Sequence, residues 1–304
     1  MQLLRVEPYR PGLEGPLLDL SGRSVWRNPA IQPLTRARLE EVRQGLRPEH
    51  VFALTLCGLP VGLLHLDTGG VARDGLIKLE SMHAALPVGR APALARLLDA
   101  IREVARDMGA VGAFGHWAER CRADLVWLAR AGFRVTRTSL HMAMVLGRRP
   151  QVDLPRGMAV SVCRDSQDEL DWLAVIGTAF PDGESPPRSR EELRKLASEA
   201  GHLPDGMLLL REAGVPVGAV QLAASRDQLG GRHAYVWGLG VVAAHRRRGY
   251  GRLLLELVAY RAYQAGFRFL ELSAYADNVP ALALYESAGL RALGKVFRLD
   301  SDLK

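Results

Sequence analysis

The chain has 304 residues, 48% of them hydrophobic, and a formal net charge of +7, which suits one large domain or two of about 150 residues. No apolar run reaches the length of about 18 residues that a membrane span needs, and the opening residues lack the apolar core and cleavage site of a secretory signal. Cys57, Cys121 and Cys163 are odd in number, widely scattered and without metal-ligand spacing, so a reduced, cytoplasmic setting with no metal and no disulfide framework is expected.

The positive charge is carried by arginines spread along the whole chain, with lysine only at positions 78, 195, 295 and 304. That spread reads as coding bias, and the interleaved aromatics of a single-strand binder are missing. A nucleic-acid partner is therefore not expected, although a few of these charges suffice for an anionic ligand.

In chain order, a first strand leads into helical segments. "VFALTLCG" and "GLPVGLLHL" then predict a hairpin, "ALARLLDAIREVARDMGA" a long amphipathic helix, and "LARAGFRV" the end of a short helix followed by a strand. The stretch "LGRRPQVDLPRG", Leu146–Gly157, carries prolines and glycines without periodicity and reads as a linker. Beyond it the pattern repeats. "GVPVGAVQL" from Gly214 matches "GLPVGLLHL" from Gly58. "GRLLLELVAYRAYQAGF" matches the long helix, and "LYESAGLRAL" matches "LARAGFRV", all at an offset of about 157 residues. Matched segments in one order at one offset indicate duplication. The expected architecture is α/β (α+β): two tandem domains, 1–148 and 158–304, joined by a linker at 149–157, each a mixed, largely antiparallel sheet flanked by helices.

The second half places "HAYVWGLGVV", a strand, before a turn rich in arginine and glycine. Leu253, Leu254, Leu257, Val258 and Ala262 then form one apolar helical stripe. Helix N-termini present unpaired N–H groups and the positive end of the helix dipole, and bind phosphates. Gly249 and Gly251 would let a phosphate approach the backbone, and Arg246, Arg247 and Arg248 add charge, so the turn suggests pyrophosphate recognition. Neither a Gly-Lys-Ser/Thr loop nor a three-glycine dinucleotide fingerprint is present.

The run Arg246-Arg247-Arg248-Gly249-Tyr250-Gly251, between strand and helix, together with "ADNVPALALYESAGL" (Ala276–Leu290), resembles the two motifs of the GNAT superfamily of acetyl-CoA-dependent N-acyltransferases. The tandem layout is similar to that of mycothiol synthase, while the motifs themselves are shared across the superfamily and do not identify a substrate. The resemblance implies that the backbone from Arg246 to Gly251 cradles the pyrophosphate of acetyl-CoA, with Arg252 also among the cofactor-binding residues. It also implies that Leu239, Gly240 and Val241 pair with the pantetheine arm, and that Asn278, Ala281 and Tyr285 lie further along the cofactor. Asn278 fits a helix N-cap equally well.

Tyr285 is the general acid by resemblance, or else a packed ring with a structural hydroxyl. The base is open. No carboxylate lies on the strand before the turn. Tyr235 falls near the position where relatives carry a glutamate, and His233 and Trp237 share its strand face. His233 is a candidate base or a strand-end residue. Asp182 and Glu184 are candidates for receiving a cationic acceptor, or belong to a solvated loop. In the first half, Gly249 maps to Pro92, Gly251 to Leu94, Asn278 to Cys121 and Tyr285 to Leu128. Proline offers no N–H, so that half is read as a degenerate copy. The expected activity is acetyl transfer to a primary amine of a small molecule or peptide. Alternatives are a non-catalytic acyl-CoA sensor or scaffold and a mycothiol-synthase-like enzyme of thiol metabolism. Oligomeric state is not legible.

Overall fold

The computed structural model describes residues 4–27, 34–84, 90–180, 189–193, 202–226 and 232–303. The chain packs into two compact units, Met1–Ser139 with Gly294–Lys304, and Leu140–Leu293. These do not coincide with the two sequence halves, because each unit takes one strand from the opposite half.

The first unit is built from β1 (Leu4–Pro8), α1 (Glu14–Arg27), α2 (Arg36–Arg43), β2 (Glu49–Leu56), β3 (Leu59–Asp67), α3 (Val71–Asp74), β4 (Leu76–Ala84), α4 (Arg90–Met108), β5 (Gly112–Ala118) and α5 (Arg122–Arg130). The strand β6 (Arg134–Val145) leaves it, and β12 (Arg291–Asp302) enters beside β5 with Val296–Asp302 antiparallel to Gly112–Ala118. The sheet order is β1-β2-β3-β4-β5-β12. All its pairs are antiparallel except β4 with β5.

The second unit repeats this plan with β7 (Met158–Val162), α6 (Ser166–Ala179), β8 (His202–Glu212), β9 (Val215–Arg226), β10 (Arg232–Val241), α7 (Tyr250–Gln264), β11 (Phe269–Tyr275) and α8 (Val279–Ser287). Its sheet runs β7-β8-β9-β10-β11-β6. Again the pairs from β7 to β10 are antiparallel and β10 runs parallel to β11. The end of β6 completes this unit: Leu146 N–H bonds to the Arg268 carbonyl, and Met142 and Leu146 sit in its core. Residues 147–155 carry no helix or strand, as the linker composition implies.

The two hairpins are matched in detail. Cys57 and Gly58 join β2 to β3 with φ of 52° and 83°, and Ala213 and Gly214 join β8 to β9 with φ of 49° and 84°. Two successive positive φ values give the turn whose twist suits a two-residue hairpin, and glycine adopts the second at no steric cost. Alternation along β8 divides the second unit's core. Leu208 and Leu210 face the buried stripe of α7, while Met207 and Leu209 face Trp172, Val175 and Ile176 of α6.

Met142 is fully buried in a unit otherwise made from the second half. Met142→Ala should therefore cost about 2–5 kcal/mol. Leu293→Ala, at a side chain 67% exposed, should stay within about 0.5 kcal/mol. Urea unfolding of the full chain followed by circular dichroism measures both.

Candidate functional site

The parallel ladder of β10 and β11 is short: His233 pairs with Phe269, Ala234 with Leu270 and Tyr235 with Glu271. β10 continues to Val241 against β9 alone, with a register shift between Trp237 and Gly240 and a positive φ of 57° at Gly238. The two strands thus part after Tyr235 and Glu271, and the edge of β10 from Val236 to Val241 faces the gap. An extended ligand can add to such an edge through main-chain hydrogen bonds. Leu239 and Val241 are half-buried against the core on the α7 side. Gly240 has a packing reason, since a Cβ there would lie 2.6 Å from the Ala179 Cβ at the end of α6.

The far end of β10 leads into the arginine-glycine turn. Arg246, Arg247 and Arg248 are exposed. Arg246 Nε donates to the Val241 carbonyl at 3.1 Å. Gly249 is the N-cap of α7 with φ 86° and ψ −4°. A Cβ on Gly249 would meet nothing within 4 Å, so backbone conformation alone demands glycine there. Gly251 differs, because its Cβ would lie 3.1 Å from Leu284 Cδ2, so it serves the packing of α8.

The turn is tied down by Glu212, at the end of β8, which the sequence did not single out. Tyr250 Oη donates to Glu212 Oε1 at 2.7 Å, and His245 Nε2 and Arg248 Nη1 lie 3.4 and 3.5 Å from Oε2. Arg252 is directed elsewhere, pairing with Glu256 and donating to the Ser287 carbonyl at 3.1 Å. Its side chain therefore ties α7 to the end of α8 and is not aimed at the turn.

Where the strands part, polar groups gather. His233, Tyr235 and Trp237 share one face of β10, with the Tyr235 and Trp237 rings 4.7 Å apart and His233 stacked on Phe269 at 4.4 Å. His233 Nδ1 donates to Glu271 Oε1, and His141 Nε2 of β6 lies 3.4 Å from Glu271 Oε2. Burial would raise the Glu271 pKa, but the two imidazoles outweigh it and hold the carboxylate below its usual range. Burial also raises Tyr235, helped by the Glu271 charge and opposed by a hydrogen bond with Ser273. Burial pushes the Tyr285 phenol up to about 12, with Tyr235 beside it adding to the shift.

The structure thus brings Tyr235, His233 and Tyr285 together and adds Glu271 and His141. A carboxylate inside the largely apolar strand "FLELSAY" was the available signal for Glu271. His141 gave none, since its strand belongs to the first sequence half. Asn278 caps α8, its Oδ1 accepting from the Ala281 N–H at 3.3 Å. Asp182 and Glu184 lie outside the described residues, as does Gly89 ahead of the first half's corresponding helix, whose first turn holds Pro92 and Leu94. The three cysteines are free thiols, and burial pushes Cys163 up to about 12. Among the described residues, no group of three or more His, Cys, Asp and Glu is spaced to hold a metal, and no helix is long and apolar enough to cross a membrane.

Residues 170–290 match the model of the acetyltransferase (GNAT) family. The chain is 30% identical to a mycothiol acetyltransferase of Thermomonospora curvata, over 86% of this chain and 85% of that protein. It is likewise 30% identical to a mycothiol acetyltransferase of Clavibacter michiganensis, over 95% and 92%. Among solved structures, a tandem GNAT protein from the clavulanic acid biosynthesis pathway superposes with a TM-score of 0.76 at 15% identity, covering 99% of each chain. A GCN5-related N-acetyltransferase from Sphaerobacter thermophilus superposes at 0.72 and 19% identity, covering 100% and 97%.

The geometry of the turn sets a stability test. Gly249→Ala places an L-residue in left-handed backbone and should cost about 1–2 kcal/mol, Gly249→Asn less, because Asn tolerates that region. Gly177→Ala, in α6 where a Cβ meets nothing within 4 Å, should instead stabilise by about 0.5–1 kcal/mol. Urea midpoints rank the three.

Proposed function

The chain belongs to the acetyltransferase (GNAT) family and is an acyltransferase, and from that premise we propose that it moves an acetyl group from acetyl-CoA to a primary amine of a small molecule or peptide. The observation that carries the proposal is the coincidence of two features on one strand. The Gly249 turn lies at one end of β10, and Tyr235, Glu271 and Tyr285 gather where β10 and β11 part.

The residues present fit the donor. The first-turn amides of α7 have no acceptors within the helix, Gly249 in left-handed backbone keeps side-chain bulk away from them, and the exposed arginines supply charge. In this reading the turn from Arg246 to Gly251 holds the pyrophosphate and the edge at Leu239–Val241 receives the pantetheine amides. Arg252 and Asn278 act on the helices that frame the site. A second reading takes the unacetylated form of mycothiol as the acceptor. Its support is the name carried by relatives that match most of the chain.

Tyr285 is assigned as the proton donor to the departing thiolate. A donor acts in its protonated form, below its pKa, so a phenol pushed up to about 12 keeps its proton through neutral and mildly alkaline pH.

Purified protein incubated with acetyl-CoA and a panel of amines, aminoglycosides, polyamines, peptide N-termini and unacetylated mycothiol should release free thiol with at least one of them. Tight CoA binding with no thiol release from any would favour the sensor reading instead. Calorimetry should find one CoA per chain. Gly249→Val should weaken it by at least about tenfold, or 1.4 kcal/mol. Tyr285→Phe should lower kcat by about 10²-fold with CoA affinity little changed. Turnover within about twofold of the parent would make that hydroxyl structural.

A further inference from the structure

Resting on the amine-acetylation reading, we propose that Glu271 is the proton acceptor of the reaction and that His141, contributed by the first sequence half, is a positioning residue for it together with His233. Tyr235 and Glu271 are the last paired residues before β10 and β11 part, and register partners project to the same face of a sheet. Glu271 therefore stands at the closed end of the gap, on the face that carries Tyr235 and Trp237. Its carboxylate offers about four acceptor positions. His233 takes one on Oε1, and His141 approaches Oε2 from the other side. That leaves capacity for an N–H of the attacking amine.

The first unit argues that the fold does not require this trio. Its parallel ladder has the same register, Leu76 with Gly112 and Lys78 with Phe114, just as His233 pairs with Phe269 and Tyr235 with Glu271. Leu76 stands where the second unit has His233, and Phe114 where it has Glu271. Arg298, stacked over Phe114 at 4.3 Å, takes the place of His141. An apolar residue and an aromatic ring thus take the positions of His233 and Glu271, and the carboxylate nearby on that face, Glu80, is compensated by Lys78 at 2.6 Å and not by imidazoles. A carboxylate taken out of water is costly unless its partners compensate, and here two imidazoles from two different strands do so.

The step balances as follows. The amine lone pair forms the C–N bond to the thioester carbonyl carbon while one N–H proton passes to Glu271. The C–S bond breaks with its electron pair going to sulfur, which takes the Tyr285 proton. Glu271 then releases its proton to solvent and the Tyr285 phenolate takes one back from solvent, which restores both groups for the next turnover. An acceptor arriving as an ammonium first releases one further proton to solvent. Among the described residues, the titratable groups facing Glu271 are His233 and Tyr235 from β10 and His141 from β6.

The test uses the full chain and an amine that the parent protein turns over. Glu271→Gln keeps the shape and removes the basic site. It should lower kcat by about 10²–10⁴-fold, leave the calorimetric Kd for acetyl-CoA within twofold, and abolish the acidic limb of kcat measured at saturating amine, where titration of the free acceptor no longer contributes. His141→Gln removes a group that holds the carboxylate's pKa down, so its acidic limb should move to higher pH, a shift that loss of packing alone does not produce. A folded Glu271→Gln that turns over within threefold of the parent overturns the proposal. So does an unmoved limb in His141→Gln, which decides the matter if Glu271→Gln fails to fold. No turnover by the parent with any amine overturns the acetylation reading itself, whereas unimpaired Glu271→Gln beside an active parent overturns only this assignment.

Discussion

The site depends on a ladder that stops. Two parallel strands packed under helices would ordinarily stay paired along their common length, because a buried backbone N–H or C=O without a partner is costly. In the second unit, β10 is diverted after Trp237 by a positive φ at Gly238 and a shifted register against β9. Gly240 then admits the end of α6 where any side chain would collide. β11 follows its own course to Tyr275. The gap between them is lined by backbone on one side and closed at its base by Tyr235 and Glu271. One glycine with left-handed backbone and one with no room for a Cβ are enough to turn a sheet interior into a place where an extended ligand can enter.

Duplication and strand exchange explain why a half that lost its glycine turn persists. The two ladders share a register at the offset of about 157 residues, down to Leu76–Gly112 against His233–Phe269. The exchange respects the same equivalence. Met142 of β6, fully buried in the second unit, and Leu299 of β12, 1% exposed in the first, are separated by that offset and fill the core of the unit opposite to their own half. Each unit's core is therefore completed by a strand from the opposite sequence half. Pro92 and Leu94 could replace the glycines of the turn without removing the need for β6, and β6 brings His141 to Glu271.

Much of this was legible from residues. The hairpins followed from Gly58 and Gly214, the buried stripe of α7 from Leu253, Leu254, Leu257, Val258 and Ala262, and the start of α7 from Gly249. What was not legible involves partners distant in sequence. Glu212 is a strand-end glutamate with no local mark of its role, and only the return of the chain brings Tyr250, His245 and Arg248 to it. Gly251 also has a packing role that local spacing cannot reveal, since Leu284 lies against it. Searching for a base on β10 alone missed Glu271, since the register that sets it opposite Tyr235 is a property of the sheet. The exchange itself has no sequence signature, because an inserted strand has the same alternation whichever unit it completes.

The chemical roles follow from how one neighbourhood treats two acidic groups differently. Tyr285 and Glu271 both lose solvent. For Tyr285 burial is unopposed, and Tyr235 beside it adds to the effect, so its phenol is pushed up to about 12 and keeps its proton. For Glu271 the same desolvation is outweighed by His141 and His233, so the carboxylate stays ionised. Groups whose surroundings push their pKa values apart are a protonated donor and an ionised acceptor over the same pH range. Tyr235 is raised first by burial and further by the Glu271 charge, and it adds to the rise that burial gives Tyr285. The separation of roles depends on the histidines. Without them, burial would push both groups in the same direction, and the opposition between donor and acceptor would be lost.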